Sequence, residues 1–189
     1  MLGLPRGGVP VAFEVACALD APLDVFSVRK LGVPGREELA MGAITAGGAR
    51  VLNDDVIDAL GISPEELRRV AMRERDEAAR REHLYRGDRS ALALGGKVSI
   101  VVDDGLATGA SMLVAVRALR AYAPVRIVVA VPVAPAETCA LLARYADEAV
   151  TVSSPEPFGG VGTWYDNFAQ TTDEEVRAFL DARAARYVV

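Results

Sequence analysis

Asp103 and Asp104 stand together at the end of an apolar run, Val98-Ser99-Ile100-Val101-Val102, and lead into Gly105-Leu106-Ala107-Thr108-Gly109-Ala110-Ser111. The run reads as a buried strand and the small residues as a turn opening a helix. The two carboxylates are therefore predicted at the carboxyl end of a strand, where open α/β sheets bind ligands. Backbone N–H groups of such a turn, with the Thr108 and Ser111 hydroxyls, converge on a helix N-terminus and make a cup for a phosphate monoester. Free amides and the positive end of the helix dipole both favour an anion there. Two aspartates beside the cup would repel the ligand unless they face something neutral or cationic. Ribose hydroxyls, or a magnesium ion with its waters, meet that condition. A Walker A loop needs a lysine opening the helix and a Rossmann turn needs GxGxxG, and the segment has neither.

These residues need a scaffold, and the rest of the chain predicts one. Apolar spacing over 8–19 (Val9, Val11, Ala12, Val15, Ala16, Leu19) fits a helix packed on a sheet, preceded by a short apolar strand and the turn Pro5-Arg6-Gly7-Gly8. Residues 23–28 read as the next strand, delivering Arg29 and Lys30 to its carboxyl end. Residues 31–36, rich in Gly and Pro, read as a loop. Beyond it, 41–45 and 50–52 read as a hairpin across Ala46-Gly47-Gly48, which suits a mobile flap. Ser63-Pro64-Glu65-Glu66 is a capping box that should start a long charged helix ending near Tyr85. Its interleaved Arg and Glu read as a solvated face. Strand 97–102, helix 109–121, strand 125–131, helix 135–145 and strand 149–152 follow in alternation. That order calls for a single α/β domain with a mainly parallel twisted sheet and helices on both faces. After Ser153 the pattern breaks into prolines and glycines with Phe158, Trp164, Tyr165 and Phe168, before a second capping box at Thr172 and Glu175 opens a final helix.

Composition narrows the function classes. The 189 residues suffice for one core, 21 basic against 26 acidic side chains give a net charge of −5, and the pI is near 5.0. A global grip on nucleic acid is disfavoured. No run approaches the ~18 apolar residues of a membrane span, so a soluble, unexported, cytoplasmic protein is expected. Cys17 and Cys139, each in a predicted helix with no CxxC, read as buried free thiols. His83 in the charged helix reads as an exposed, solvated residue.

The segment 98–112 resembles the 5-phosphoribosyl 1-pyrophosphate (PRPP) motif of the type I phosphoribosyltransferases: aliphatic residues, two acids, a short variable loop, then Thr-Gly-x-Ser/Thr. The resemblance runs from Leu4 to about Val152, and in detail is similar to bacterial stand-alone phosphoribosyltransferase-domain proteins. It implies that Asp103 and Asp104 hold the ribose hydroxyls and influence a magnesium ion, directly or through water. It gives the 5-phosphate to Gly105, Leu106, Ala107, Thr108, Gly109, Ala110 and Ser111. Arg6, Gly7 and Gly8 resemble the pyrophosphate loop, where a strained peptide is often found, although a glycine pair at a strand-to-helix turn is also ordinary turn chemistry. Arg29 and Lys30 resemble a basic pair reaching pyrophosphate, with a surface salt bridge as the other reading. The stretch 31–41 resembles the flexible loop that closes over the site.

In the same resemblance the chain forms one domain over 1–189, with a core over about 1–152 and a hood over 153–189 that reads the acceptor. Trp164 or Tyr165 could stack on a base or merely anchor packing. The N-terminal helix that usually completes the hood would precede the first strand, where this sequence starts, which implies either a truncated start or a reduced acceptor lobe. The implied activity is transfer of the phosphoribosyl group from PRPP to a nitrogen acceptor, a nucleobase in the first instance, with release of pyrophosphate. The alternatives are a non-catalytic PRPP or nucleotide-binding module and a magnesium-dependent ribosyl-phosphate phosphohydrolase. The expected partners are PRPP, a small-molecule acceptor and a second copy of the chain, with no nucleic acid and no membrane.

Overall fold

The computed structural model describes residues 1–186. In chain order, β1 (Leu2–Gly3), α1 (Gly8–Ala18) and β2 (Asp24–Val25) are followed by three strands of a separate small sheet, β3 (Val28–Val33), β4 (Arg36–Thr45) and β5 (Arg50–Leu52). Helices α2 (Asp54–Leu60) and α3 (Pro64–Arg86) come next, then β6 (Val98–Val102), α4 (Ala110–Arg120), β7 (Arg126–Val133), α5 (Ala136–Leu142), β8 (Glu148–Ser153) and α6 (Asp173–Ala184). The central sheet has the order β2-β1-β6-β7-β8, and every pairing in it is parallel. This is the α/β fold with a parallel sheet that the alternation of strands and helices predicts.

Both faces of the sheet are covered because successive residues of β6 point opposite ways. Val101 packs with Met112, Val116 and Leu119 of α4. Val102 packs on the other side with Val9, Ala12 and Ala16 of α1 and with Val176 and Leu180 of α6. Burying one such side chain stabilises the fold by roughly 1.5–3 kcal/mol, so these two layers fix the helix starts that face the sheet's carboxyl edge. Both capping boxes form: Ser63 Oγ accepts from Glu66 N and Thr172 Oγ1 from Glu175 N. Among the described residues, no helix is long and apolar enough to cross a membrane.

Four expectations need correction. The strand expected over 23–28 stops at Val25, and the chain leaves the parallel sheet to begin β3 at Val28. Arg29 and Lys30 thus lie inside a strand, not at the end of one. Second, the stretch 31–36 is not a loop: only Pro34 and Gly35 turn, with Gly35 at φ +75, and the residues on either side pair as an antiparallel hairpin. Its apolar residues Leu31, Met41 and Ile44 form a third cluster with Val70 and Ala71 of α3, which is what makes the segment ordered strand. Third, the helix expected over 135–145 stops at Leu142, while α3 keeps the expected solvated face and buries Val70, Ala71, Glu74, Ala78 and Tyr85 on the other. Fourth, both cysteines are free but Cys17 is exposed, because the buried stripe of α1 runs through Ala12 and Ala16 and position 17 rotates away from it. The spacing of 54–60 does not announce α2, whose two turns are too short to show a period; Gly61 ends it at φ +61, with Ile62 N bonded back to Ile57 O at 3.0 Å.

Candidate functional site

The site forms where two strand-turn-helix units meet. The carboxyl ends of β1 and β6 lie side by side, tied by Leu4 N to Val102 O at 2.9 Å. Each strand turns at once into a helix, α1 at Gly8 and α4 at Ala110, so two N-termini face one edge. The Pro5–Arg6 peptide bond between β1 and α1 is cis.

Gly7 and Gly8 are dictated by approach rather than by backbone angle. A Cβ on Gly8 would stand 2.6 Å from Val102 O and 2.8 Å from Asp103 Cα. On Gly7 it would stand 2.8 Å from Asp104 Cγ and closer still to Oδ2. The first loop therefore lies bare against the two acids.

Those acids face different spaces. Asp103 lines a cavity of about 470 Å³ together with Arg6, Arg29 and Ser111. Asp104 lines a second hollow of about 420 Å³ with Gly7, Tyr165 and Phe168. Arg6 borders both. Burial, then the neighbouring charge of Asp104, pushes the Asp103 carboxyl up to about 7, even though its Oδ1 accepts from Asp104 N at 3.0 Å. Burial also raises Asp104. A carboxylate pair held this way gains from any cation or hydroxyl donor that arrives with a ligand.

The turn into α4 leaves a helix N-terminus open. Gly109 takes the left-handed conformation, φ +70, and gives the helix no side-chain cap. Behind it, Thr138 Oγ1 donates to Ala107 O at 2.7 Å, and Leu106 N to Val133 O at 3.0 Å. Leu106 is buried, so it offers backbone only, whereas Ala107, Thr108, Ala110 and Ser111 are exposed. Gly105 is packed tightly, with an added Cβ falling 2.6 Å from Val161 Cγ1. First-turn amides of α4 have no intrahelical acceptor and point outward with the dipole.

The basic residues divide. Arg6 lies 3.7 Å from Asp173 Oδ1. Arg29 enters the larger cavity but is held by Glu74, with Nε and Nη2 both donating to Oε2 at 3.0 and 2.8 Å. Lys30, one step along the strand, points the other way and donates to Glu38 O at 3.2 Å. It lines a smaller hollow of about 180 Å³ beside Ala110 and Ser111.

In the C-terminal segment the Tyr165 hydroxyl donates to Asp104 O at 2.5 Å, and burial followed by the charges of Asp104 and Asp103 raises its pKa. Trp164 donates through Nε1 to Phe158 O at 2.9 Å, is 46% exposed, and borders neither large cavity. The aromatic brought to the acids is Tyr165, with Phe168 at a ring-centroid distance of 5.2 Å. Sequence reasoning missed Ser27, Arg80, Arg81, Tyr85 and Asp173 in the larger cavity and Asn167 and Gln170 in the smaller one. The spacing of Glu77, Arg81 and Tyr85 marks one helix face, but not that this face turns to the site.

Two Mycobacterium tuberculosis proteins, from strains CDC 1551 / Oshkosh and ATCC 25618 / H37Rv, each carrying the name "Putative phosphoribosyl transferase", are 49% identical over 181 residues. The match takes in 96% of this chain but 41% of theirs, so the chain spans well under half the length of these relatives. The crystal structure of TT1426 from Thermus thermophilus superposes with a TM-score of 0.85 at 44% identity, covering 96% of this chain and 86% of that one. The family model for the phosphoribosyl transferase domain matches residues 1–159, which include both loops, both aspartates and every strand of the parallel sheet. With the strand order, the paired acids and the uncapped turn all inside that match, the chain belongs to the phosphoribosyl transferase domain family.

Proposed function

We propose that this chain binds PRPP and transfers its 5-phosphoribosyl group to a nitrogen acceptor, releasing pyrophosphate. One observation carries the reading: Asp103 and Asp104 stand between an uncapped, exposed helix turn and a glycine loop with no room for a side chain. The turn 105–111 takes the 5-phosphate, the two carboxylates take the ribose hydroxyls, and Gly7 and Gly8 let backbone amides reach the diphosphate.

In the reaction the bond from ribose C1 to the diphosphate oxygen breaks, and its electron pair leaves with pyrophosphate. The acceptor nitrogen forms its bond to C1 and gives up its proton to the departing pyrophosphate or to solvent. Charge on C1 approaches an oxocarbenium as the anion departs, so Arg6 and Arg29 stabilise the leaving group while the cup holds the sugar still. Two carboxylates with no third acidic or histidine ligand among the described residues suit magnesium that arrives on a substrate, since that ion is commonly held by one or two carboxylates plus substrate phosphates. Asp103 and Asp104 would hold it, and when bound it supplies charge neutralisation of the diphosphate.

The acceptor is assigned to the hollow of Tyr165 and Phe168, where two rings and the amides of Asn167 and Gln170 suit a planar nitrogen heterocycle such as a nucleobase. The same reading makes the protein a cytosolic homodimer, and light scattering in solution tests the assembly.

Labelled PRPP, magnesium and a panel of purines, pyrimidines and orotate test the activity. A ribonucleotide product is expected. Saturable binding without product would instead make the chain a binding module, and phosphate release without acceptor would make it a hydrolase.

A further inference from the structure

We propose that Arg80 and Arg81 of α3, together with the Ser27 hydroxyl, form a subsite for the terminal phosphate of the diphosphate leaving group. This rests on the PRPP reading above and adds to it a wall contributed by a helix outside the strand-turn-helix units.

Four guanidinium groups, of Arg6, Arg29, Arg80 and Arg81, line the 470 Å³ cavity, against the two carboxylates of Asp103 and Asp173. By lining groups alone the cavity wall is net cationic in a protein whose net charge is −5, with Glu74 and Glu77 partnering three of the four guanidinium groups. Arg29 has Nε and Nη2 turned to Glu74 and keeps its remaining Nη donors for a ligand in this cavity, whereas Lys30 points into another hollow, so the β3 pair brings one cation here and not two.

The α3 pair is placed differently. Glu77 grips both side chains: Arg80 through Nε at 2.7 Å and Nη2 at 3.0 Å, and Arg81 through Nε at 2.7 Å. A guanidinium carries five N–H donors in a rigid fork, so each side chain is fixed in direction yet keeps donors to spare. Their side chains are 63% and 45% exposed, within reach of an incoming anion. A surface pair of this kind is ordinarily no more than helix decoration. Here a second feature lies in the same cavity. Ser27 is 4% exposed, lines the cavity, and its Oγ has no hydrogen-bond partner among the described residues. Buried hydroxyls are nearly always paired, and rotation of this side chain toward the cavity would bring the hydroxyl to a phosphate oxygen.

The test is titration calorimetry with inorganic pyrophosphate plus magnesium, PRPP plus magnesium, and ribose 5-phosphate, on the parent chain and on the Arg80→Gln/Arg81→Gln variant. Loss of charge-assisted bonds should weaken pyrophosphate and PRPP about tenfold or more, with ribose 5-phosphate changed by less than about twofold. Ser27→Ala should weaken pyrophosphate several-fold in the same direction. Unchanged PRPP and pyrophosphate affinity in the double variant overturns the subsite alone, as does an equal loss of ribose 5-phosphate. A parent chain that binds neither PRPP nor ribose 5-phosphate overturns the PRPP reading and the subsite with it. Thermal melts without ligand show whether the double variant folds, and either single substitution replaces it if the melt is lowered.

Discussion

The carboxylate of Asp104 fills the space that a side chain on Gly7 would need: a Cβ there would stand 2.8 Å from its Cγ. The two loops of the site are thereby fitted to each other, and the glycine is a property of the aspartate's position as much as of its own turn.

Gly7→Ala should therefore act through Asp104. The added methyl displaces the carboxylate or the loop, at a cost of about 1–3 kcal/mol in fold stability by overpacking. PRPP affinity should fall by about tenfold or more as the acid leaves its place. Chemical denaturation and calorimetry on one preparation read both, and unchanged PRPP binding would mean that Asp104 does not touch the ligand.

Asp103→Asn should remove a pH dependence of stability. The carboxyl moves from an ordinary 3.8 to about 7 in the folded chain, so between those values the native state holds a proton that the unfolded state has lost. Stability contributed by this group then falls as pH rises through that window and is flat on either side. The variant, neutral throughout, should exceed the parent at pH 8 without ligand by about 1–3 kcal/mol, allowing for partial solvent screening. The gap should close near pH 4. Magnesium-dependent PRPP binding should weaken in the same variant. Parallel melting curves from pH 4 to pH 8 would show that the carboxyl is not displaced.

Thr108→Val keeps the shape of the turn into α4 but removes an exposed hydroxyl. Binding of ribose 5-phosphate should lose on the order of 1–3 kcal/mol with little change in stability. An unaltered affinity places the phosphate elsewhere.

Glu74→Gln tests how the cavity holds its arginine. Glu74 is 8% exposed and serves Arg29 and Arg73 together. Replacing one partner of a half-buried ion pair leaves the other poorly compensated, so the fold should lose about 1–3 kcal/mol. The loss should shrink at high salt if Arg29 becomes exposed, and a salt-independent value would mean that packing alone is responsible.

Much of the scaffold is legible in the sequence because its signals are local. Both capping boxes lie within four residues, the strand-helix alternation shows in apolar spacing, and the pair of acids before Thr108, Gly109 and Ser111 carries the resemblance by itself. Pro34 and Gly35 mislead for the same reason: breakers suggest a loop, whereas the flanking strands exist because Leu31, Met41 and Ile44 find Val70 and Ala71 across the chain. Trp164 and Tyr165 are neighbours with equal claims in the sequence, and a single bond spanning 61 residues, from Tyr165 to Asp104, separates them.

By itself the sequence determined most elements of the parallel sheet and its helices, the strand-turn-helix unit that carries Asp103 and Asp104, and the family, since hydrogen-bonding turns, caps and strand periods act over a few residues. Only the tertiary structure decided that Asp103 and Asp104 open onto separate cavities, that Arg29 is bound to Glu74 across 45 residues, and that α3 turns Arg80 and Arg81 toward the site. Which face of a helix meets which edge of a sheet follows from how whole apolar surfaces pack together, and the spacing of residues along one element does not contain it.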